Sequence, residues 1–113
     1  MTLTLCGSLR FEQDIQWWHE KLALAGHVIY AMVALPSQKH GNTAWYTEDE
    51  KERLDLLHLA KIEESDAIFV VDTDNYIGDS TRREIRWARI RGKAIFYASS
   101  RGGVDYLTKG QDV

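Results

Sequence analysis

The chain has 113 residues, 44% of them hydrophobic and 27% charged, with a formal net charge of −3. That is the makeup of one ordinary globular domain with a single core. The acidic balance gives no bulk attraction to nucleic acid or to an anionic membrane, and no apolar run is long enough to span a bilayer. Cys6 is the only cysteine, so no internal disulfide can form and a reducing compartment is the simplest setting. No basic and apolar leader is visible, and cytoplasmic residence is the expectation. Four Trp, five Tyr and three Phe suggest a dense core, a stacking pocket or a subunit interface.

Leu3 to Cys6 is apolar and reads as a buried strand ending at the Gly7-Ser8 turn. Phe11, Ile15, Trp18, Leu22 and Ala25 recur at helical spacing, and Gly26 is a helix stop. His27 to Met32 reads as a second strand. The polar stretch from Pro36 to Thr47 reads as a loop; its Trp45 and Tyr46 could stack on a base, but aromatics tucked against the core are the simpler reading.

Glu48 to Ser65 is rich in helix formers, with apolar residues pointing almost all around. One side of such a helix would meet the sheet and another a second subunit. Ala67-Ile68-Phe69-Val70-Val71 is the clearest buried strand. A polar loop from Asp72 to Asp79 leads to a helix over Thr81 to Arg91, closed by Gly92. Ala94 to Ala98 is the last strand. From Ser99 the glycines read as a loosely ordered tail.

Alternating strands and helices imply a single α/β domain, a parallel sheet of four to five strands with helices on both faces. Ligands of such sheets bind beyond the carboxyl ends of the strands. The rule selects Gly7 to Arg10, the loop after Met32, and the loop from Asp72 to Ser80.

At the first of these, Gly7 allows a tight turn and close approach of a ligand, Ser8 adds a hydroxyl and Arg10 a charge suited to phosphate. A Ser cap beside a surface arginine is the equally open alternative. No GxGxxG fingerprint is present. In the last loop, Thr81 and Glu84 fit a capping box, which would leave Glu84 without chemistry. The helical wheel favours a site residue instead. At about 100° per residue Glu84 shares a face with Ile85 and Ala88, with Arg82, Arg86 and Arg89 on roughly the opposite face. That arginine stripe reads as a solvated face and not as a nucleic-acid interface. The helix start is expected to favour ionised Glu84, and such a carboxylate can attack a sugar carbon or stabilise an oxocarbenium-like centre.

Cys6-Gly7-Ser8-Leu9-Arg10, the run from Lys61 to Val71, and Ser80-Thr81-Arg82-Arg83-Glu84 with Ala88 and Gly92-Lys93 together resemble the nucleoside 2-deoxyribosyltransferase and 2′-deoxynucleoside 5′-monophosphate N-hydrolase superfamily. The resemblance covers about Leu3 to Tyr97. It implies a flavodoxin-like fold and cleavage of the N-glycosidic bond of a deoxynucleoside or deoxynucleotide, by hydrolysis or by transfer to a second base. It implies Glu84 as nucleophile, and Gly7, Ser8, Leu9, Arg10, Gly78 and Ser80 as contacts to sugar and phosphate. It also implies a homodimer or higher homo-oligomer.

Two positions depart from the family pattern. Ser80 stands where glycine is common. His58 stands where the family commonly carries an aspartate near the leaving base, and Asp55 and Lys61 could share its helix edge. With an ordinary pKa near neutrality His58 could protonate or orient the base, and a surface or interface histidine is the open alternative. No cofactor is called for. His19, His27, His40 and His58 show no tight ligand spacing with Cys6, so no metal is expected. A non-catalytic nucleotide-binding or sensing module is the competing function.

Overall fold

A computed structural model describes residues 1–31 and 47–109. The end of the predicted second strand at Met32 and the predicted loop carrying His40, Trp45 and Tyr46 lie outside the described residues.

Strand β1 (Thr2–Gly7) runs through a short 3-10 turn (Leu9–Phe11) into helix α1 (Glu12–Leu24). Strand β2 (Val28–Tyr30) follows. Helix α2 (Glu48–Glu64), strand β3 (Ala67–Val71), helix α3 (Asp79–Ile90), strand β4 (Ala94–Tyr97) and helix α4 (Arg101–Thr108) complete the order. All four strands are parallel and lie in the order β2-β1-β3-β4. This is the expected flavodoxin-like α/β arrangement. The order reverses between β1 and β3, whose ends pair at Gly7 and Val71. That switch point is where a doubly wound sheet leaves a crevice.

The two-residue period of the strands divides the core. Leu3, Leu5, Ala67, Phe69 and Val71 pack with Ile15 and Leu22 of α1 and Leu107 of α4. Cys6, Ile68 and Val70 face the other way, onto Ile62 of α2 and Ile85 and Ala88 of α3. Thr4 is the polar member of that second face. Its hydroxyl bonds to the Lys61 carbonyl and to the Ser65 hydroxyl, so the buried group is satisfied. Gly26 and Gly92 end α1 and α3 at φ of 98° and 70°, the left-handed region that glycine takes without strain.

Two expectations are corrected. Residues 101–108, read as part of a loose tail, are ordered. They form α4, with Leu107 only 3% exposed and Val104 against the first core. Gly103 is useful there, since a Cβ in its place would lie 3.2 Å from Phe96 Cδ1; its absence lets the helix lie close on β4. Secondly, α3 begins at Asp79, with Gly78 as its N-cap. Thr81 is therefore inside the helix and buried, and it caps nothing. The capping box in this protein belongs to α2, where Thr47 Oγ1 accepts from the Glu50 amide at 3.1 Å and Glu50 Oε1 accepts from the Thr47 amide at 2.9 Å. Helix α2 buries only Ile62 fully against the sheet, and Leu56 and Leu57 are exposed on the single chain.

Candidate active site

Glu84 is carried by α3 on the face that also presents Ile85 and Ala88 to the sheet. Its side chain is 14% exposed. Across from it, α2 delivers His58, whose side chain is 12% exposed, so this is not a surface histidine. The last inward residue of β1 on this face is Cys6, fully buried. His58 Nε2 lies 3.6 Å from Cys6 Sγ and 3.6 Å from Glu84 Oε1. The three donor atoms all fall within 4.8 Å of one another. Three elements far apart in sequence thus converge at the switch point.

The electrostatics follow from burial. Glu84 is pushed up to about 7, first by desolvation. The neighbouring Cys6 thiol pulls it back; Asp55 raises it further and Arg83 lowers it. The expectation that the helix start would favour ionised Glu84 is corrected. Glu84 lies six positions past the cap at Gly78, so it sits beyond the first turn, where the dipole has faded. His58 is pushed down to about 4 by burial and then by Lys61. Its imidazole is neutral at pH 7, which removes its use as a cationic acid toward a leaving base. Burial, and then the Glu84 charge, hold the Cys6 thiol well above its ordinary range. Glu84 Oε1 is buried with no hydrogen-bond partner among the described residues.

The predicted turn residues lie on the rim. Ser8 accepts the Arg10 amide at 3.3 Å, capping the 3-10 turn, so the plain-cap reading of that serine holds locally. Arg10 is exposed, its guanidinium 4.2 Å from the centre of the Tyr76 ring. That ring in turn covers Gly78, where a Cβ would lie 3.4 Å from Tyr76 Oη. Tyr76 therefore joins the two predicted loops, Gly7 to Arg10 and Gly78 to Ser80. No side chain caps the first turn of α3, and Ser80 is exposed beside it. Leu9 starts the 3-10 turn. At Gly7 a Cβ would lie 3.1 Å from the Val71 carbonyl oxygen, so only glycine fits there without displacing the sheet end.

Behind the rim, Asp72 accepts the Ser99 amide at 2.9 Å and the Ser99 hydroxyl, locking the ends of β3 and β4 together. Thr73 donates to Asp14 at 2.7 Å and fixes the same loop to α1. Asp74 and Asn75 take φ of 56° and 60°, tolerated because their short polar side chains suit the left-handed region.

Sequence reasoning missed Cys6, Asp72 and Tyr76 as site-forming residues. The even position of Cys6 on β1, the same face as Thr4, was the available signal for Cys6. The metal expectation also loses its ground. It rested on distances along the chain, whereas folding gathers thiol, imidazole and carboxylate into one cluster.

No protein-family model matches the sequence, and no curated protein matches it significantly. Solved structures do match. The chain is similar to a 2-deoxyribosyltransferase from Bacillus psychrosaccharolyticus, with a TM-score of 0.62 at 15% identity, covering 86% of this chain and 71% of that one. It is also similar to the CMP N-glycosidase of Clostridium botulinum, with a TM-score of 0.56 at 17% identity, covering 96% and 97%. At these identities the likeness is one of fold.

Proposed function

We propose that this protein is an enzyme that cleaves the N-glycosidic bond of a deoxynucleoside 5′-monophosphate, with Glu84 as nucleophile. One observation carries the reading: a buried carboxyl group, turned inward from α3, stands at the β1–β3 switch point beside an imidazole. The fold shared with a deoxyribosyltransferase and an N-glycosidase supports it.

In this reading, ionised Glu84 attacks C1′ of the sugar. The C1′–N bond breaks, a C1′–O ester to Glu84 forms, and the base departs with a proton taken from solvent. Water then adds its hydroxyl to C1′ and restores the carboxylate; a second base in place of water gives transfer. A poorly solvated carboxylate is a better nucleophile than one in water, which is the use of burying it. Neutral His58 positions that carboxylate through Nε2 and marks the side where the base lies. Gly7, Ser8 and Leu9 line the sugar. Arg10, Gly78 and Ser80 hold the phosphate, Arg10 as a fixed charge and the start of α3 as a row of N–H donors. The same reading includes a homo-oligomer, with exposed Leu56 and Leu57 of α2 at the contact.

The test is base release from a panel of deoxynucleotides, followed by chromatography, with wild type and Glu84→Gln. Turnover by wild type that disappears in the variant is expected. Tight nucleotide binding with no base released by wild type would overturn the enzyme and leave a binding module. Adding a second free base separates hydrolysis from transfer.

A further inference from the structure

We propose that Cys6, His58 and Glu84 form a binding site for a thiophilic divalent cation of the zinc class, which closes the candidate active site by occupying its carboxylate. The binding stands on the cluster alone; the inhibitory consequence rests on the function proposed above.

The donor set is the first reason. A thiolate, an imidazole and a carboxylate from three elements are ligands that zinc takes, leaving a fourth position for water. Zinc bonds of about 2.3 Å to sulfur and about 2.0–2.2 Å to nitrogen and oxygen give tetrahedral edges of roughly 3.4–3.6 Å between donors. The Sγ–Nε2 and Nε2–Oε1 separations are both 3.6 Å, and the remaining edge is within 4.8 Å. The Oε1 atom is the second reason, since it is buried with no hydrogen-bond partner among the described residues. Charge is the third. A dication with one thiolate and one carboxylate is formally neutral, which suits a site this deep. Lys61 and Arg83 oppose a cation there, and Asp55 favours it. The sulfur ligand selects against magnesium and calcium, which prefer an all-oxygen shell.

Binding releases the proton of Cys6 Sγ and, where Glu84 is protonated, the proton of its carboxyl. His58 binds through Nε2 with its proton on Nδ1. Coordination neutralises the Glu84 carboxylate and ties it to the metal, which takes away its nucleophilicity toward a sugar carbon.

Cobalt is the probe, because its bond to a thiolate absorbs in the near ultraviolet and Cys6 is the only thiol in the chain. Cobalt titrated into reduced, metal-free protein should produce that band to saturation at a single site, and zinc should abolish it by displacement. Losing even an outer partner costs a metal site about 10–100-fold in affinity, so Cys6→Ser and His58→Asn should each weaken zinc by more than about tenfold. Should Cys6→Ser fail to fold, the wild-type band and His58→Asn carry the test. Absence of the band at saturating cobalt, or unchanged zinc affinity in His58→Asn, overturns the site. Zinc binding in a protein that releases no base when metal-free sinks the glycosidase and keeps the site. Base release indifferent to bound zinc, or dependent on it, overturns the blocking role and keeps the glycosidase.

Discussion

His58 Nε2 stands 3.6 Å from Glu84 Oε1, and burial drives the two groups toward neutrality from opposite directions. The acid holds its proton up to about pH 7 and the base refuses one down to about pH 4. Neither forms the ion pair that their proximity suggests. The consequences for stability have opposite signs.

Glu84 ionises near 4.5 in the unfolded chain and near 7 in the folded one. The folded state therefore holds the extra proton, and stability falls as pH rises from about 4.5 to about 7, by about 3 kcal/mol in all. Glu84→Gln removes that loss. In metal-free protein at pH 8 the variant should be more stable than wild type by up to about 3 kcal/mol in urea denaturation, while base release falls by roughly 10³-fold or more. A variant less stable than wild type at pH 8 would count against a destabilising buried carboxylate.

His58 gives the reverse slope. It takes a proton near 6.5 when unfolded and near 4 when folded, so stability rises as pH rises through that interval. Across pH 4.5 to 6.5 the two contributions nearly cancel in wild type. His58→Asn should leave only the falling slope of Glu84, and Glu84→Gln only the rising slope of His58. Denaturation midpoints measured at half-unit pH steps check this. The rate of base release should climb with pH and level off above about 7 as Glu84 ionises.

Arg10 lies over the Tyr76 ring, on the rim rather than in the cluster. Arg10→Ala should raise KM for a deoxynucleoside monophosphate by about 10–100-fold, the worth of a charged hydrogen bond, and leave the KM of the unphosphorylated nucleoside within about twofold. Equal losses for both substrates would take the phosphate away from this residue.

Gly7→Ala places a methyl 3.1 Å from the Val71 carbonyl oxygen, a backbone atom of the central ladder that cannot swing aside. The variant should lose about 1–3 kcal/mol of stability and bind nucleotide more weakly. Thermal unfolding with and without a deoxynucleotide reads both effects.

Strand and helix order was legible because Ala67 to Val71 is continuous apolar chain and Gly26 and Gly92 stop helices by a local rule. The placement of Glu84 toward the sheet was legible from the period of α3. Less legible was where α3 begins. Thr47-Glu48-Asp49-Glu50 and Thr81-Arg82-Arg83-Glu84 carry the same capping pattern, and only packing decides that the first is a cap and the second is not. The tail was misread because Gly102 and Gly103 weaken a helix in isolation, whereas close contact with Phe96 rewards the lack of a side chain at Gly103. Cys6 was passed over because its partners lie 52 and 78 positions away, and no spacing rule spans that distance.

His27 receives the amino terminus on Nδ1 at 3.0 Å and donates from Nε2 to the Leu107 carbonyl at 2.7 Å. One ring thereby pins the end of α4 to the edge of the sheet where β2 begins. An eight-residue helix does not persist in water by itself, so its order is borrowed from such anchors. Deuterium should enter the α4 amides far faster in His27→Phe than in wild type, while those of β1 and β3 keep their slow exchange; the last helix would then open as a unit separate from the centre of the protein.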